Sequence, residues 1–284
     1  MRKIEVCSTS LDDAREAEAG GAIRIELCSA ITCGGVTPSH GLIKSIVDEN
    51  LNLDINVLIR AREGGFHYTA SEIDTMCQDI EFCRGAGADG VVIGALSADG
   101  DIDMEACRKM VAAAGDISIT FHRAFDMCRD PRKALEELIA LGCHRVLTSG
   151  QLPTAEAGIP QLKELVQQAD GRIIIMPGCG VNSGNAARIL NSTGATEIHA
   201  SARRNVGSGM LFRHSGVSMG NPGSDEYARK ETDVNEVRAI INSIKEEYFI
   251  YTLLWCRLRR ILFYCRYADS YGCRLCRLRN LPFG

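Results

Sequence analysis

Eight β-forming runs alternate with eight amphipathic helical runs in the first 247 residues, and this alternation limits the folds open to the chain. The predicted strands are residues 4–8, 24–29, 56–60, 90–96, 118–123, 145–149, 173–178 and 197–202. The predicted helices are residues 11–19, 42–50, 70–84, 104–114, 131–141, 159–169, 185–191 and 234–247. Eight β-then-α units of this total length are typical of an α/β fold of the (β/α)8 TIM-barrel type.

An open, doubly wound sheet is the rival interpretation, because it has the same alternation of strands and helices. That fold predicts a Gly-x-Gly-x-x-Gly turn after the first strand. This chain has Ser-Thr-Ser-Leu at residues 8–11 instead. We therefore predict a TIM-barrel domain over residues 1–247.

Residues 248–284 differ in composition from the rest of the chain. They hold seven arginines, one acidic residue and nine of the sixteen aromatic residues, so this segment carries a charge of +6. The whole chain carries −4, so residues 1–247 carry −10, which gives no general attraction to nucleic acid. The longest apolar run of the segment, about nine residues, is too short for a membrane span. We predict a basic, aromatic- and Cys-rich tail outside the barrel, without a nucleic-acid partner or a membrane span.

Thirteen cysteines are many for a chain of this length. The chain opens Met-Arg-Lys-Ile-Glu-Val-Cys, without the apolar segment of a secretory signal. Disulfide frameworks are rare in cytosolic proteins, where thiols stay reduced. We therefore expect a cytoplasmic protein with free thiols, many of them buried as small apolar side chains.

Polar residues on the predicted strands indicate a pocket. Helices cover the outside of a TIM barrel, so these side chains point into the lumen, and those at the strand C-termini reach the active-site mouth. The strand residues of this kind are Glu5, Cys7, Glu26, Cys28, Arg60, His122, Arg123, Ser149, Glu197, His199 and Ser201. So many polar groups from six strands favour a functional pocket over single buried ion pairs.

Cys7 and Cys28 occupy similar places on the first two strands, which are neighbours in a barrel. Two thiolates at this separation suit a soft ion of low coordination number, and Cu(I) is the natural candidate. Zinc requires four ligands, with His122 or His199 completing the set. The alternative is that the two small side chains only pack the top layer of the barrel.

The segment Thr-Phe-His-Arg-Ala-Phe-Asp at 120–126 is the densest polar cluster. His122 titrates near neutrality in its ordinary state and can move a proton, while the Arg123 guanidinium can hold a carboxylate or phosphate. Asp126 can orient either group. A buried structural network of the three side chains is an equally good interpretation.

Two loops at the predicted barrel mouth are candidate anion sites. Gly178 and Gly180 follow the seventh strand and Ser201 ends the eighth, where many barrels bind phosphate through backbone N–H groups. Arg60 ends the third strand on the other side, and Arg62 follows it. A small anionic ligand is therefore an expected partner.

Several motifs, in order over roughly residues 2–246, resemble the CutC copper homeostasis family. They are Glu-Val-Cys at 5–7, Gly-Gly-Ala-Ile-Arg-Ile-Glu-Leu-Cys-Ser at 20–29, Gly-Gly-Val-Thr-Pro-Ser at 34–39, Thr-Phe-His-Arg-Ala-Phe-Asp at 120–126, Arg-Val-Leu-Thr-Ser-Gly at 145–150 and Glu-Ile-His-Ala-Ser-Ala at 197–202. The resemblance implies a cytosolic TIM barrel, often oligomeric, that in some members binds Cu(I) through cysteines. On this chain those cysteines are Cys7 and Cys28. The resemblance implies no assigned reaction.

The chain departs from the family pattern in three places. The family's Arg-Pro-Arg-Gly-Gly-Asp-Phe loop reads Arg-Ala-Arg-Glu-Gly-Gly-Phe at 60–66, so a stiffening proline and an acid are absent. Cys179 interrupts a triple-glycine turn after the seventh strand. Residues after about 247 have no counterpart in the family.

Two hypotheses follow. The first is a cytoplasmic, homo-oligomeric copper homeostasis protein that binds Cu(I) through Cys7 and Cys28, with Glu26 and His122 nearby. The second is an enzyme acting on a small anionic substrate of the sugar or phosphate type. In that enzyme Glu26 and His122 move protons, and the anion is bound by Arg60, Arg62, Arg123, Gly178, Gly180 and Ser201. A scaffold that acts through oligomer contacts is a third interpretation.

Overall fold

Eight parallel strands form one sheet that curls into a nearly closed barrel, so the predicted TIM-barrel fold is confirmed. In this computed structural model the neighbouring strands run in the order β7-β6-β5-β4-β3-β2-β1-β8. The strands are β1 Lys3–Ser8, β2 Arg24–Leu27, β3 Asp54–Leu58, β4 Gly90–Ile93, β5 Ser118–Phe121, β6 Arg145–Thr148, β7 Ile174–Pro177 and β8 Glu197–Ala200. Chain order is spatial order throughout, as consecutive β-α units with helical crossovers require.

The structure describes residues 2–214, 216–217, 225 and 227–245. The chain divides into two units, Met1–Ser243 and Ile244–Gly284. The barrel belongs to the first unit. The predicted tail at 248–284 lies outside the described residues.

Helices follow the strands as predicted. They are α1 Leu11–Gly20, α2 His40–Val47, α3 Ala70–Ala86, α4 Met104–Ala114, α5 Pro131–Ala140, α6 Ile159–Ala169, α7 Ala186–Thr193 and α8, residues 234–245. Side-chain caps set several starts: Ser10 accepts from the N–H of Asp13, and Thr69 forms a capping box with Glu72. Within the described residues, every helix is too short or too polar to cross a lipid bilayer.

Several predicted strands end earlier than expected at the mouth of the barrel. Strand β5 stops at Phe121, because a short 3-10 helix begins at Arg123 with the His122 side chain as its N-cap. Strand β2 stops at Leu27 and is followed by a second 3-10 helix, Ile31–Cys33. His122 and Arg123 therefore lie beyond the strand, and both reach the mouth.

An antiparallel hairpin follows the barrel and was not predicted. Its strands are β9 Arg203–Gly207 and β10 Ala228–Thr232. The hairpin is mostly exposed, and charged residues replace the apolar alternation that marks a half-buried strand. Its base is fixed to the barrel because the N–H of Thr232 donates to buried Asp13 on α1.

Candidate functional site

A cavity of about 520 Å³ opens at the C-terminal ends of the barrel strands. Its wall includes residues from β1, β2, β3, β5, β6, β7 and β8 or from the loops that follow them. The residues that line it are Cys7, Glu26, Cys28, Ile31, Gly34, Leu58, Arg60, Phe66, His122, Arg123, Asp126, Met127, Leu147, Cys179, Gly180, Val181, His199, Ala200 and Ser201. This end of the barrel and this size are those of a small-molecule site in TIM barrels.

Two buried thiols face each other in this cavity. The sulfur atoms of Cys7 and Cys28 lie 3.5 Å apart. The residues are not directly opposite each other, since Cys7 pairs with Glu26 in the strand register. The N–H of Cys28 donates to the carbonyl of Ser8 just beyond the strand end, which brings the second thiol up to the first. The hydrogen bond with Cys28 and burial raise the pKa of the Cys7 thiol well above its ordinary value.

Glu26 and His199 complete a cluster around Cys7. A ligating atom of each of Cys7, Glu26 and His199 lies within 4.8 Å of the other two, and all three residues are buried. Burial raises the pKa of the Glu26 carboxyl to about 7, although the charge of His199 opposes this shift. Burial lowers the pKa of His199, but hydrogen bonds with Cys7 and Glu5 and the charge of Glu26 raise it overall. The cluster therefore combines a soft donor, a carboxylate and an imidazole.

Glu5 supports His199 from below. His199 Nδ1 lies 2.8 Å from Glu5 Oε1, which leaves Nε2 on the side of Glu26, 3.8 Å from Oε2. Burial alone raises the pKa of Glu5, but the hydrogen bond from His199 and the charge of Arg24 lower it to about 2. Arg24 also pairs with Glu197, which receives a second ion pair from Arg145. A chain of alternating charges thus runs through the barrel interior up to the thiols.

His122 directly follows β5, which is three strands away from β2. Its Nδ1 accepts a hydrogen bond from the N–H of Ala124 at 3.1 Å, so the proton of the neutral ring is on Nε2. Burial and the charge of Arg60 lower the pKa of His122 to about 3. His122 is therefore neutral at neutral pH, and the expectation of an imidazole that titrates there is corrected.

The three predicted arginines occupy different positions. Arg60 lines the cavity, but its Nη atoms donate to the backbone carbonyls of Cys33, Gly35 and Gly64. Arg123 lines the mouth. Arg62 lines a separate, shallower cavity of about 640 Å³ beside the first, where its guanidinium is paired with Glu72.

Of the residues predicted to bind an anion in the loops after β7 and β8, some line the cavity and one does not. Gly180 and Ser201 line the cavity, as does Cys179, which adopts a positive φ of 86°. Gly178 lies behind the wall, where a Cβ atom would approach Leu147 Cδ1 to 2.4 Å. The absence of a side chain at Gly178 lets the backbone after β7 pack closely against Leu147 and His199.

The contacts of Glu5 and His199 were the main feature that sequence reasoning missed. Both residues were expected to face the lumen, but Glu5 was assigned no role in the site and His199 only that of an alternative zinc ligand. Glu5 and His199 are register partners across β1 and β8, which lie side by side because the sheet curls into a nearly closed barrel. The available signal was the predicted barrel itself, which makes the first and last strands neighbours.

The arrangement allows two kinds of chemistry. The Cys7, Cys28, Glu26 and His199 cluster offers two sulfur donors with a nitrogen and an oxygen donor close by, which suits a soft metal ion. The remainder of the cavity offers N–H donors and a guanidinium at the mouth, which suit an oxygen-rich organic anion.

Comparisons with known proteins agree with this architecture. A model of the CutC family matches residues 2–204. Family protein CutC of Bacteroides thetaiotaomicron is 50% identical over 244 residues, which are 86% of this chain and 98% of the relative. Copper homeostasis protein cutC homolog of Homo sapiens is 48% identical over 248 residues, which are 87% and 90%. The crystal structure of CutC from Streptococcus agalactiae has a TM-score of 0.68 and 33% identity, covering 71% of this chain and 99% of that one. The chain therefore belongs to the CutC family, as its motifs predict.

Proposed function

We propose that this protein takes part in copper homeostasis by binding Cu(I) at Cys7 and Cys28. The observation that carries the proposal is the pair of buried sulfur atoms, 3.5 Å apart at a cavity wall. Thiolates are preferred ligands of Cu(I), and the name of the human relative associates it with copper homeostasis. Glu26 lies beside this pair, while His122 lines the same cavity from the end of β5.

Copper is the cargo in this function, and its binding is coupled to proton release. The pKa of the Cys7 thiol is raised, so Cys7 is protonated in the metal-free protein at neutral pH. A Cu(I) ion must displace that proton. We expect tighter binding at higher pH, with neighbouring Glu26, whose pKa is about 7, as a group that can receive a proton.

The proposed setting is the reducing cytoplasm, and the proposed assembly is a homo-oligomer. The described cysteines are all free thiols, which suits a reducing compartment. Exposed apolar side chains in the segment that follows β9, Leu211 at 100% and Phe212 at 70% relative exposure, suit burial against a second copy.

An anaerobic Cu(I) competition titration tests the copper proposal. The protein is the full chain with its four tail cysteines, at 256, 265, 273 and 276, replaced by serine. We expect tight binding of one Cu(I), which the double variant Cys7→Ser/Cys28→Ser loses. The matched control is Cys107→Ser/Cys143→Ser, which alters two buried thiols elsewhere in the barrel. Unchanged affinity in the Cys7/Cys28 variant would reduce these cysteines to packing residues.

An enzyme acting on a small anionic substrate is the second candidate function. It is favoured by the extent of the cavity, which continues past the thiols to Arg123, Gly180 and Ser201. Glu26 can accept a proton there, and His122 can donate a hydrogen bond to the reacting group. Arg60 borders the same space, whereas Arg62 and Gly178 do not line it.

Ligand-induced thermal stabilisation tests this second candidate. Inorganic phosphate and pyruvate are the probes, and we expect either to raise the melting temperature of the wild type. Arg123→Gln should remove the shift, and Arg129→Gln, an exposed arginine paired with Asp101, should retain it. No shift with either probe contradicts an anion site at the mouth.

A further inference from the structure

Two N–H donors at the cavity wall have no acceptor among the described residues. They are the Nε–H of Arg60 and the Nε2–H of His122, and both side chains are more than nine-tenths buried. A buried donor without a partner is costly, so such groups usually face water or a ligand. Both residues line the same cavity.

Arg60 is held rigidly by the chain around it. Its Nη1 donates to the carbonyl oxygens of Cys33 and Gly35 at 3.0 and 2.8 Å, and its Nη2 donates to that of Gly64 at 2.8 Å. These three bonds fix the plane of the guanidinium. The unused Nε–H therefore keeps its position when a ligand enters.

His122 is also held in one state. The N–H of Ala124 occupies Nδ1, which places the ring proton on Nε2. A pKa of about 3 keeps this ring neutral, so it offers one N–H and no positive charge. His122 can therefore stabilise an oxygen atom by hydrogen bonding.

Phe66 is a common neighbour of the two side chains that carry these donors. The Arg60 Cζ atom lies 5.1 Å from the centroid of the Phe66 ring. The His122 ring centroid lies 5.1 Å from the same centroid. Both side chains therefore pack beside a single aromatic ring at the wall of the cavity, near enough for the charge of Arg60 to lower the pKa of His122.

Arg123 provides a second, more exposed contact point at the mouth. Its Nε donates to Asp126 at 2.7 Å and its Nη2 donates to Ser149 Oγ at 3.1 Å. Nη1 has no acceptor within the described part of the chain. The guanidinium is thus oriented by its own neighbours, with one nitrogen available for an anion.

From this arrangement, and resting on the second candidate function, we infer that the cavity binds a small organic anion that carries a carbonyl oxygen. The anionic group, a phosphate or a carboxylate, binds Arg123 at the mouth. The carbonyl oxygen accepts hydrogen bonds from Arg60 Nε and His122 Nε2 deeper in the cavity.

The two unpaired N–H groups of Arg60 and His122 select a carbonyl oxygen as their partner. A carbonyl oxygen has two lone pairs for two donors and no hydrogen of its own. A hydroxyl group would also have to place its hydrogen on an acceptor. A second anion is disfavoured because His122 is neutral and three carbonyl oxygens already surround Arg60.

Two matched pairs of probes test the inference by isothermal calorimetry on the full chain without copper. Hydroxyacetone phosphate is compared with n-propyl phosphate, and levulinate with pentanoate, because each pair differs by one carbonyl oxygen. We expect the carbonyl compound of at least one pair to bind about tenfold more tightly. The pair that shows the preference identifies the anionic group as phosphate or carboxylate.

Variants of His122 test whether this residue causes the preference for the carbonyl compound. His122→Phe should remove it while n-propyl phosphate or pentanoate still binds, and His122→Gln should restore part of it through its amide N–H. The control His40→Asn changes an exposed histidine on α2. Equal affinities within both pairs, or a preference that survives His122→Phe, overturn the inference.

The second candidate function fails in a different way. If none of the four compounds binds in a manner that depends on Arg123, the anion site and the inference both fall. If all four bind through Arg123 without preference, only the carbonyl site falls. Nitrogen-15 NMR of wild-type His122 adds a test without mutation: we expect a neutral Nε2–H ring between pH 5 and 8, and an Nδ1–H ring contradicts the inference.

Discussion

Asp126 is the residue that organises the mouth of the cavity. Its carboxylate accepts hydrogen bonds from the backbone N–H groups of Ser149 and Gln151, from two hydroxyls and from Arg123. These contacts join the 3-10 helix after β5 to the loop after β6. The orientation of Arg123 is therefore a consequence of the fold and does not require a ligand.

Replacing Asp126 should loosen both segments. We expect Asp126→Ala to lower the free energy of unfolding by about 3 kcal/mol, because several donors lose a charged acceptor together. Urea denaturation measures this change. The control Asp99→Ala removes an exposed carboxylate and should have an effect near zero. A loss below about 1 kcal/mol for Asp126→Ala would mean that water replaces the carboxylate.

Glu26 should make the metal-free protein less stable as the pH rises. Burial raises its pKa from 4.5 to about 7, so the folded state keeps the proton at a pH where the unfolded chain releases it. Its contribution to stability is complete below pH 4.5 and is lost between pH 4.5 and 7, with an upper limit of about 3 kcal/mol.

Urea denaturation at pH 5 and pH 8 checks this sign. Glu26→Gln cannot ionise, so its stability should fall less between the two pH values than that of the wild type. The control Glu49→Gln, near the protein surface and paired with Arg15, should follow the wild type. A wild type and a Glu26→Gln variant with parallel pH profiles would show that Glu26 titrates in the folded state as it does in the unfolded chain.

The position of Cys7 and Cys28 was predictable from the sequence, because strand neighbours and their inward faces follow from the barrel pattern. The state of His122 was not. Its neutral form depends on burial, on the charge of Arg60 and on the N–H of Ala124, which faces the ring only because β5 ends one residue before His122. Such short-range geometry is not encoded in residue spacing.

Among the elements, α1 and α8 approach each other so closely at Gly20 that only a glycine fits there without a shift of its neighbours. A Cβ atom at Gly20, the last residue of α1, would lie 2.5 Å from Val237 Cγ1 on α8. Val237 and Ile240 of α8 are fully buried. The absence of a side chain at Gly20 lets α8 pack over the end of α1.

Gly20→Ala should therefore destabilise the protein by about 1–3 kcal/mol through overpacking. Gly85→Ala is the matched control, since Gly85 lies on the exposed side of α3 with nothing within 4 Å of an added Cβ. That variant should gain about 0.5–1 kcal/mol from helix propensity. Thermal denaturation of the two variants measures the difference, and effects of the same sign would contradict the packing argument.

The order and type of the barrel elements followed from hydrophobic periodicity, whereas their ends and the β9–β10 hairpin did not. Strands β2, β5 and β8 end where the chain bends towards the mouth of the barrel. Buried apolar residues such as Ala124 and Phe125 continue past the end of β5, so the apolar pattern does not mark where the strand stops. The hairpin is stabilised by backbone pairing with few buried side chains, so it leaves little periodic signal.

At the scale of the whole molecule, a buried ion-pair chain joins strands from both sides of the barrel. Arg24 on β2 pairs with Glu5 on β1 and with Glu197 on β8, and Arg145 on β6 also contacts Glu197. Opposing the effect of burial, Arg24 lowers the pKa of both carboxyls. β7 and β8 are the two edge strands of the sheet as described. The chain of ion pairs crosses the barrel interior in the region between these two edges.

Arg24→Met should show how much this chain of ion pairs contributes to the free energy of unfolding. The substitution keeps most of the side-chain volume but leaves two buried carboxylates without their shared cation, so we expect a loss of about 3–5 kcal/mol. The control Arg15→Met breaks a half-exposed pair with Glu49 and should cost less than about 1 kcal/mol. Urea denaturation at pH 7 measures both. In the wild type both carboxyls stay ionised down to low pH, whereas in Arg24→Met they take up protons as the pH falls towards 4. The difference in free energy of unfolding between the two proteins should therefore shrink towards pH 4. A difference that does not depend on pH would assign the loss to packing alone.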